Sequence, residues 1–437
     1  MNDKIAVAII SKGVGQEVER LNKALASVRP YVDAAYVTLT SPTSMLKPVE
    51  EICKKHNVIV SYANPQWKAT EEAVRWLKTF FGYEPHTKAG DSLFLFDEAR
   101  NFNFSQVPQD IHWIMWMDTD DVLLRGEKLR GVVDLANKNN IEAVFLNYIY
   151  QAEFNDKGEM TAIIIEHLRE RIVRNGGLYK WIMPIHETLI EQRPTRKTDN
   201  RDCEVLHLAT HKDRMGSFER NLKNLELAIY KTEGKDPRQI YYLAKAYFDL
   251  ATQEGKKDYF DKAIPLIQKY LIGPHPSGWP EERAQACEYL AEIYRIKNDY
   301  DKSVWAGMNA LIEEPENPSV FLNLAATATM RQQWERALFW VKIASTIPQK
   351  GTTLVKNPRD IQIRTLEIIY NCCVQLGRVD EAWASMKKLI DLYPQEQKFA
   401  QALQFVEGIR AQRETIKQVI GLVEVLKQTN ERQKIRP

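Results

Sequence analysis

From Lys4 to about Val205, short apolar runs alternate with stretches whose apolar residues recur at helical spacing, and beyond about Arg214 only the helical spacing remains. The first pattern predicts strands and helices in turn around a β-α-β sheet, and the second an all-helical region. Ile5 to Ile10 is apolar throughout and predicts the first strand. Glu17 to Val28 places Val18, Leu21, Leu25 and Val28 on one helix face and stops at Arg29-Pro30. Ala35 to Leu39 predicts the second strand. A loop from Thr40 to Ser44 leads into a helix ending near Lys55, and Val58 to Tyr62 predicts the third strand. Further helices are expected over Thr70 to Phe81, Asp91 to Arg100 and Glu127 to Lys138. Further strands are expected at Trp113 to Met117, Ala143 to Tyr150 and Thr161 to Glu166, after which Glu170 to Arg174 and the Asn175-Gly176-Gly177 turn lead to Tyr179 to Trp181. The Asn155 to Gly158 tetrapeptide has turn composition and predicts a hairpin.

The helical region repeats itself. Leu290, Tyr294, Ser303, Gly307 and Ala310 are matched 34 places later by Leu324, Ala328, Ala337, Val341 and Ala344, while Pro315 is matched one place short by Pro348. That is the tetratricopeptide period. A further copy holds Ile369, Cys373, Ala382, Met386, Leu389 and Pro394, and an earlier, lengthened one holds Leu243, Tyr247, Ala263 and Ile267. Small residues at these places let paired helices approach closely, so each repeat buries its face against the next. The expected division is residues 1–213 as the sheet domain, 214–394 as the repeats and 395–437 as amphipathic terminal helices that cap the array or pair two subunits into a homodimer.

Composition narrows the function classes. The 437 residues carry 60 basic and 58 acidic side chains, a near balance that gives no electrostatic argument for a nucleic-acid or membrane partner. The apolar run after Met1 to Lys4 is too short for a signal or a spanning helix, so a cytoplasmic location is expected. Five scattered cysteines without paired spacing predict neither a disulfide framework nor a zinc site.

The chemistry is concentrated where the strand Trp113 to Met117 runs into Asp118, Thr119, Asp120 and Asp121. Ligands in open α/β sheets bind outside the carboxyl ends of strands, and a turn there can bring Asp118 and Asp120 together around one hard divalent cation, Mg²⁺ or Mn²⁺. The alternative is that Asp120 or Asp121 caps a helix starting near Val122. The Gly13-Val14-Gly15 after the first strand lacks the third glycine of a dinucleotide fingerprint and is read as a turn.

Residues 4 to about 210 resemble a nucleotide-sugar-dependent glycosyltransferase of the GT-A fold, family 2 type. The D-T-D-D at Asp118 to Asp121 is similar to that family's DxD signature. F-D-E-A-R-N at Phe96 to Asn101 is similar to the segment before the signature strand, and W-I-M-P-I-H-E at Trp181 to Glu187 to the acceptor-side motif. With the repeats, the layout resembles the glycosyltransferases that modify bacteriocin peptides at cysteine or serine. The resemblance implies an α/β GT-A domain followed by a tetratricopeptide array. It also implies an inverting transfer from a nucleotide-diphosphate sugar, a UDP-sugar first, to a protein or peptide acceptor. It departs at strand two, where family members place an aspartate for the base and Tyr36 to Thr40 offers hydroxyls only.

Residue by residue, the resemblance implies metal ligation by Asp118 and Asp120, with His207 as third ligand in preference to His211. Donor contacts would come from Ser11, Thr38, Thr40, Arg100, Asn101, Asp118 and Trp181. Arg100 would instead be a helix C-terminal cation, and Trp181 a buried core ring, if their roles are structural. Glu187 is the expected base, with Asp121 as its alternative. His186 and Glu187 do not form a zinc-protease motif, since position 190 is Ile. Two other functions fit the same residues: transfer to a polysaccharide, lipid-linked sugar or modified DNA, and a noncatalytic repeat scaffold.

Overall fold

The computed structural model describes residues 3–41, 47–208, 218–272, 278–348, 352–354 and 357–433. The chain forms two compact units, Met1–Ala286 with Lys350–Pro358, and Cys287–Gln349 with Arg359–Pro437.

The first unit is built on a mixed eight-stranded sheet. Its strands are β1 (Ile5–Ser11), β2 (Ala34–Leu39), β3 (Ile59–Tyr62), β6 (Trp113–Met117), β7 (Asp121–Leu124), β8 (Ala143–Phe154), β9 (Met160–Arg174) and β12 (Lys197–His207), in the order β3-β2-β1-β6-β9-β8-β12-β7. The β3-β2-β1-β6 half is parallel, as crossover helices require, while β9 runs antiparallel to both β6 and β8. Two ribbons, β4 (Gln66–Lys68) with β5 (Ser92–Phe94) and β10 (Tyr179–Ile182) with β11 (Thr188–Glu191), complete the strands.

Alternation along β1 and β6 divides the core into two layers. Ile5, Val7 and Ile9 pack with Trp113, Met115, Met117 and the buried face of the helix Gln16–Val28, namely Leu21, Ala24, Leu25 and Val28. On the other face the small Ala6 and Ala8 share a cluster with the bulky Trp116 and Trp181, so volume is exchanged between neighbouring positions.

Four expectations are corrected. Asp121 to Leu124 is a strand, not the start of a helix near Val122, because Asp121 and Leu123 point inward and β12 supplies a partner. The helix expected over Asp91 to Arg100 begins at Phe96 and runs to Ser105, preceded by β5. Leu93 and Leu95 alternate and are both buried in one cluster with Ala69 and Leu227. The runs Thr161 to Glu166 and Glu170 to Arg174 are one strand, with irregularities in its pairing to β8. The sequence pattern did not predict β12, whose first residues are mostly polar, although it lies between β8 and β7.

The change from strands to helices near residue 214 is not the edge of a compact unit. The helices Phe218–Lys231, Pro237–Gln253 and Tyr259–Ile272 belong to the first unit. Glu226, fully enclosed, accepts hydrogen bonds from the His86 and Thr87 amides at 3.0 and 2.8 Å and from the Thr87 hydroxyl at 2.8 Å.

In the second unit the repeat pattern becomes helix hairpins. Tyr300–Glu313 follows Pro280–Ile296, which crosses from the first unit. Then come Pro318–Met330 with Trp334–Thr346, and Pro358–Gln375 with Val379–Leu392. Asp299 and Asn317 cap their helices through side-chain oxygens. Gly307 is the close contact of the array, since a Cβ there would stand 2.7 Å from Leu324 Cδ2. The result is a tetratricopeptide-like helical array that follows a mixed α/β sheet domain in sequence. No helix among the described residues is long and apolar enough to cross a membrane.

Candidate metal centre

Strand β6 ends at Met117, and the next residues turn back on themselves. The Asp118 amide donates to Asp121 Oδ2 at 2.9 Å, and the Asp121 amide donates to the Asp118 carbonyl at 3.2 Å. That turn starts β7 at Asp121, directly opposite His207 in the antiparallel β7–β12 pair. The Leu208 amide donates to the Asp120 carbonyl at 2.7 Å, fixing the middle of the turn as well.

Asp121 has no exposed surface. Its Oδ2 also receives Arg171 Nη1 at 2.9 Å, and its Oδ1 receives the Tyr148 hydroxyl at 3.0 Å. Arg171 is equally enclosed, its guanidinium carbon 3.9 Å from the centre of the Trp116 ring and 4.3 Å from that of Tyr148. A buried ion pair of this kind persists because further hydrogen bonds and aromatic faces offset the loss of hydration.

His207 Nδ1 lies 2.9 Å from the Tyr148 hydroxyl, 3.4 Å from Asp121 Oδ1 and 3.6 Å from Asp120 Oδ1. Burial pulls this imidazole down, but the Asp121 hydrogen bond and the charges of Asp120, Asp121 and Asp118 outweigh it and raise its pKa. Burial, with repulsion from Asp118 and Asp121 added and His207 opposing, pushes the Asp120 carboxyl up to about 6. Asp120, Asp121 and His207 each offer a ligand atom within 4.8 Å of the others. Two carboxylates and an imidazole at this spacing could hold a metal ion.

Asp118 is not in that group. Arg100 Nη2 donates to its Oδ1 at 2.5 Å, and Arg100 Nε donates to Glu187 Oε1 at 2.7 Å, so one guanidinium joins the signature turn to the acceptor-side motif. Burial alone would raise the Asp118 carboxyl, but the Arg100 and Arg171 charges hold it well below the usual carboxylate range. Arg100 sits inside the helix Phe96–Ser105 and is buried between the Trp116 and Trp181 rings, at 4.8 and 4.9 Å from their centres, so it is no helix C-terminal cation.

The other expected donor contacts are engaged within the fold. Asn101 pairs both its amide atoms with the Trp181 backbone, at 2.8 and 2.9 Å. Trp181 is fully buried, edge-on to Trp116 at 4.8 Å, which corresponds to the core-ring alternative and leaves no open face for a sugar. The Thr38 hydroxyl is 2.8 Å from Ser61 Oγ and accepts from Asn103 Nδ2 at 2.9 Å. Ser11 Oγ accepts from the Gly13 amide, and Thr40 Oγ1 donates to the Ser11 carbonyl at 3.3 Å. His211 lies outside the described residues.

Three participants escaped the sequence pattern. Tyr148 was inside a predicted strand with nothing to single it out. Arg171 gave a signal, a cation in the strand Glu170 to Arg174 beside apolar Ile172 and Val173, whose meaning needs a buried acid nearby. Tyr242, from the helix Pro237–Gln253, stacks on His186 at 4.3 Å and 13°, beside Glu187. Met183 and His186 both have left-handed backbones, with φ of 77° and 52°, so this loop is strained as well as braced.

No protein-family model matches the chain. No curated protein matches it either. Among solved structures, a thermophilic TPR protein of Thermus thermophilus is similar at 19% identity, over 44% of this chain and 94% of that one, with a TM-score of 0.31. MamA from Desulfovibrio magneticus RS-1 is similar at 18% identity, over 43% and 96%, with a TM-score of 0.30. The Arabidopsis OM64 TPR domain is similar at 16% identity, over 29% and 96%, with a TM-score of 0.25. Likeness at this level carries no argument about activity or ligand.

Proposed function

We propose that this chain is a metal-dependent inverting glycosyltransferase of the GT-A type, moving a sugar from a nucleoside-diphosphate donor, a UDP-sugar first, to a protein or peptide acceptor. The observation that carries this reading is the meeting of two groups at the end of β6. One is the Asp120, Asp121 and His207 donor set, and the other is the Asp118–Arg100–Glu187 bridge.

Asp120 and His207 would hold Mn²⁺ or Mg²⁺. Asp121, with oxygens committed to Arg171, Tyr148 and the Asp118 amide, would fix the His207 ring. A divalent ion bound there would supply positive charge to a departing diphosphate. Glu187, with 14% of its side chain exposed, would take the proton of an attacking hydroxyl or thiol. Asp121, fully enclosed, is poorly suited to that step. Arg100, its fork held by two carboxylates, would set the distance between base and signature turn. A helical repeat array is the kind of extended surface on which a polypeptide acceptor is held.

Incubation of the full chain with labelled UDP-sugars and Mn²⁺ should give donor hydrolysis that is lost in Asp120→Ala. Absence of both turnover and Mn²⁺-dependent binding for every common nucleotide sugar would overturn the reading.

A further inference from the structure

The short loop between β10 and β11, Met183 to Glu187, is held from two helices. The helix Phe96–Ser105 holds it near both ends: the Phe96 amide donates to the Pro184 carbonyl at 3.2 Å, and Arg100 Nε donates to Glu187 Oε1 at 2.7 Å. The other hold comes from outside the sheet. On the helix Pro237–Gln253, the Tyr242 ring lies flat on the His186 imidazole, with centroids 4.3 Å apart and planes 13° from parallel.

The loop needs that ring. Met183 and His186 have left-handed backbones, which side chains other than glycine adopt at a cost and keep only where their surroundings fix them. Met183 is fixed by burial. His186 is exposed, and among the described residues its imidazole makes no hydrogen bond, so the stack is the contact that fixes it. Tyr242 is held in turn. Arg238, one turn earlier on the same helix, donates Nη2 to the Tyr242 hydroxyl at 3.3 Å, and its Nε lies 3.5 Å from Glu282 Oε2. Glu282 has no exposed surface and accepts from the Tyr270 hydroxyl at 2.7 Å, so this end of the contact is rooted in packed helices.

We infer that Tyr242 is a positioning residue which, acting through His186, keeps the Glu187 carboxylate in place at the end of β6; this rests on the reading of Glu187 as the base. Glu187 follows His186 directly, so a turn of the His186 backbone displaces the carboxylate. A shift of about 1 Å at a reacting group is enough to cost much of the rate. Arg100 does not prevent it alone, because one hydrogen bond to one oxygen leaves the carboxylate able to pivot. A helix outside the sheet thus carries part of the catalytic geometry.

Hydrogen exchange at the Phe96 amide reads the hold with neither donor nor metal present, because the acceptor of that amide is the loop carbonyl of Pro184. In the full chain Tyr242→Ala should speed this exchange roughly tenfold. Tyr242→Phe keeps the ring and should leave it unchanged, and both variants should retain the helical circular dichroism of the parent. His186→Gly suits a φ of 52° but has no ring, so it should match Tyr242→Ala, and combining the two should add nothing further. In Mn²⁺-dependent hydrolysis of a UDP-sugar, Tyr242→Ala should lower kcat roughly tenfold with KM for the donor unchanged, while Tyr242→Phe keeps the parent rate. Unaltered exchange in Tyr242→Ala, or an equal effect in Tyr242→Phe, would overturn the stack as the hold. Faster exchange with an undiminished kcat would overturn its part in placing Glu187. A parent chain without hydrolysis would sink the transferase reading, and with it Glu187 as a base, while exchange still decides whether the stack holds the loop.

Discussion

His207 stands directly across from Asp121 in the β7–β12 pair, with its Nδ1 3.4 Å from Asp121 Oδ1 and 2.9 Å from the Tyr148 hydroxyl that the same oxygen accepts. The ring is therefore oriented by a buried acid and a phenol before any ion arrives. Mn²⁺ titration by calorimetry should show Asp120→Asn and His207→Ala abolishing binding. Tyr148→Phe should weaken it by about tenfold, as outer partners of metal ligands do. An unchanged isotherm in Asp120→Asn would remove this cluster as the metal site.

Arg100 carries the second prediction. In Arg100→Met the Asp118 and Glu187 carboxylates lose the cation they share inside a largely closed pocket. Unfolding in urea should report a loss of about 3 kcal/mol, at the low end for broken buried pairs because Asp118 keeps 31% of its side chain exposed. Adding Asp118→Asn and Glu187→Gln should recover most of it, since no unpaired charge then remains. Failure of the triple variant to recover would show that Arg100 acts through packing on Trp116 and Trp181 instead.

His167 gives a pH dependence. It is buried against the Tyr148 ring, and burial, helped by Arg169 and Arg171, pulls its pKa down to about 3. A depressed histidine costs nothing above its unfolded value near 6.5, but below it the unfolded chain takes up the proton first, and stability falls as pH drops toward 3. The slope from this one group is at most about 1.4 kcal/mol per pH unit. His167→Phe should flatten the stability curve between those limits. An identical slope in the variant would show that other groups set the acid sensitivity.

In the repeats, Gly307→Val should destabilise the array by about 1–3 kcal/mol, because the added carbons enter the space of Leu324, 2.7 Å from where a Cβ would stand. The tighter packing of Ser303, whose hydroxyl lies 2.8 Å from Thr327 Oγ1 in the same seam, leaves little room for the helices to part. Equal melting temperatures for variant and parent would show that this helix pair yields without cost.

The acid turn itself was legible because Trp113 to Met117 is wholly apolar, and a strand of that kind must be central. Its end must therefore lie at the rim of a sheet where charge is unusual. The link from Arg100 to Glu187 was only half legible. Each residue stood in a suggestive motif, but they are 87 positions apart, and nothing local says that one guanidinium serves both Glu187 and Asp118.

The sequence by itself determined the alternation of strands and helices, the repeat register, and where the carboxylates emerge. All of these depend on interactions between neighbours along the chain or on a period that can be counted. Tertiary structure alone decided which acid lies by His207, because that depends on β12 pairing with β7 across 86 residues. It also decided that Trp181 faces inward and that Asp121 is enclosed with Arg171. A polar-rich stretch such as Lys197 to Asp202 has no period to announce it as a strand. Lys197 to Asn200 become one because β8 offers them an edge, Ala143 to Leu146, whose backbone groups must be satisfied, while β7 pairs only from Glu204 onward.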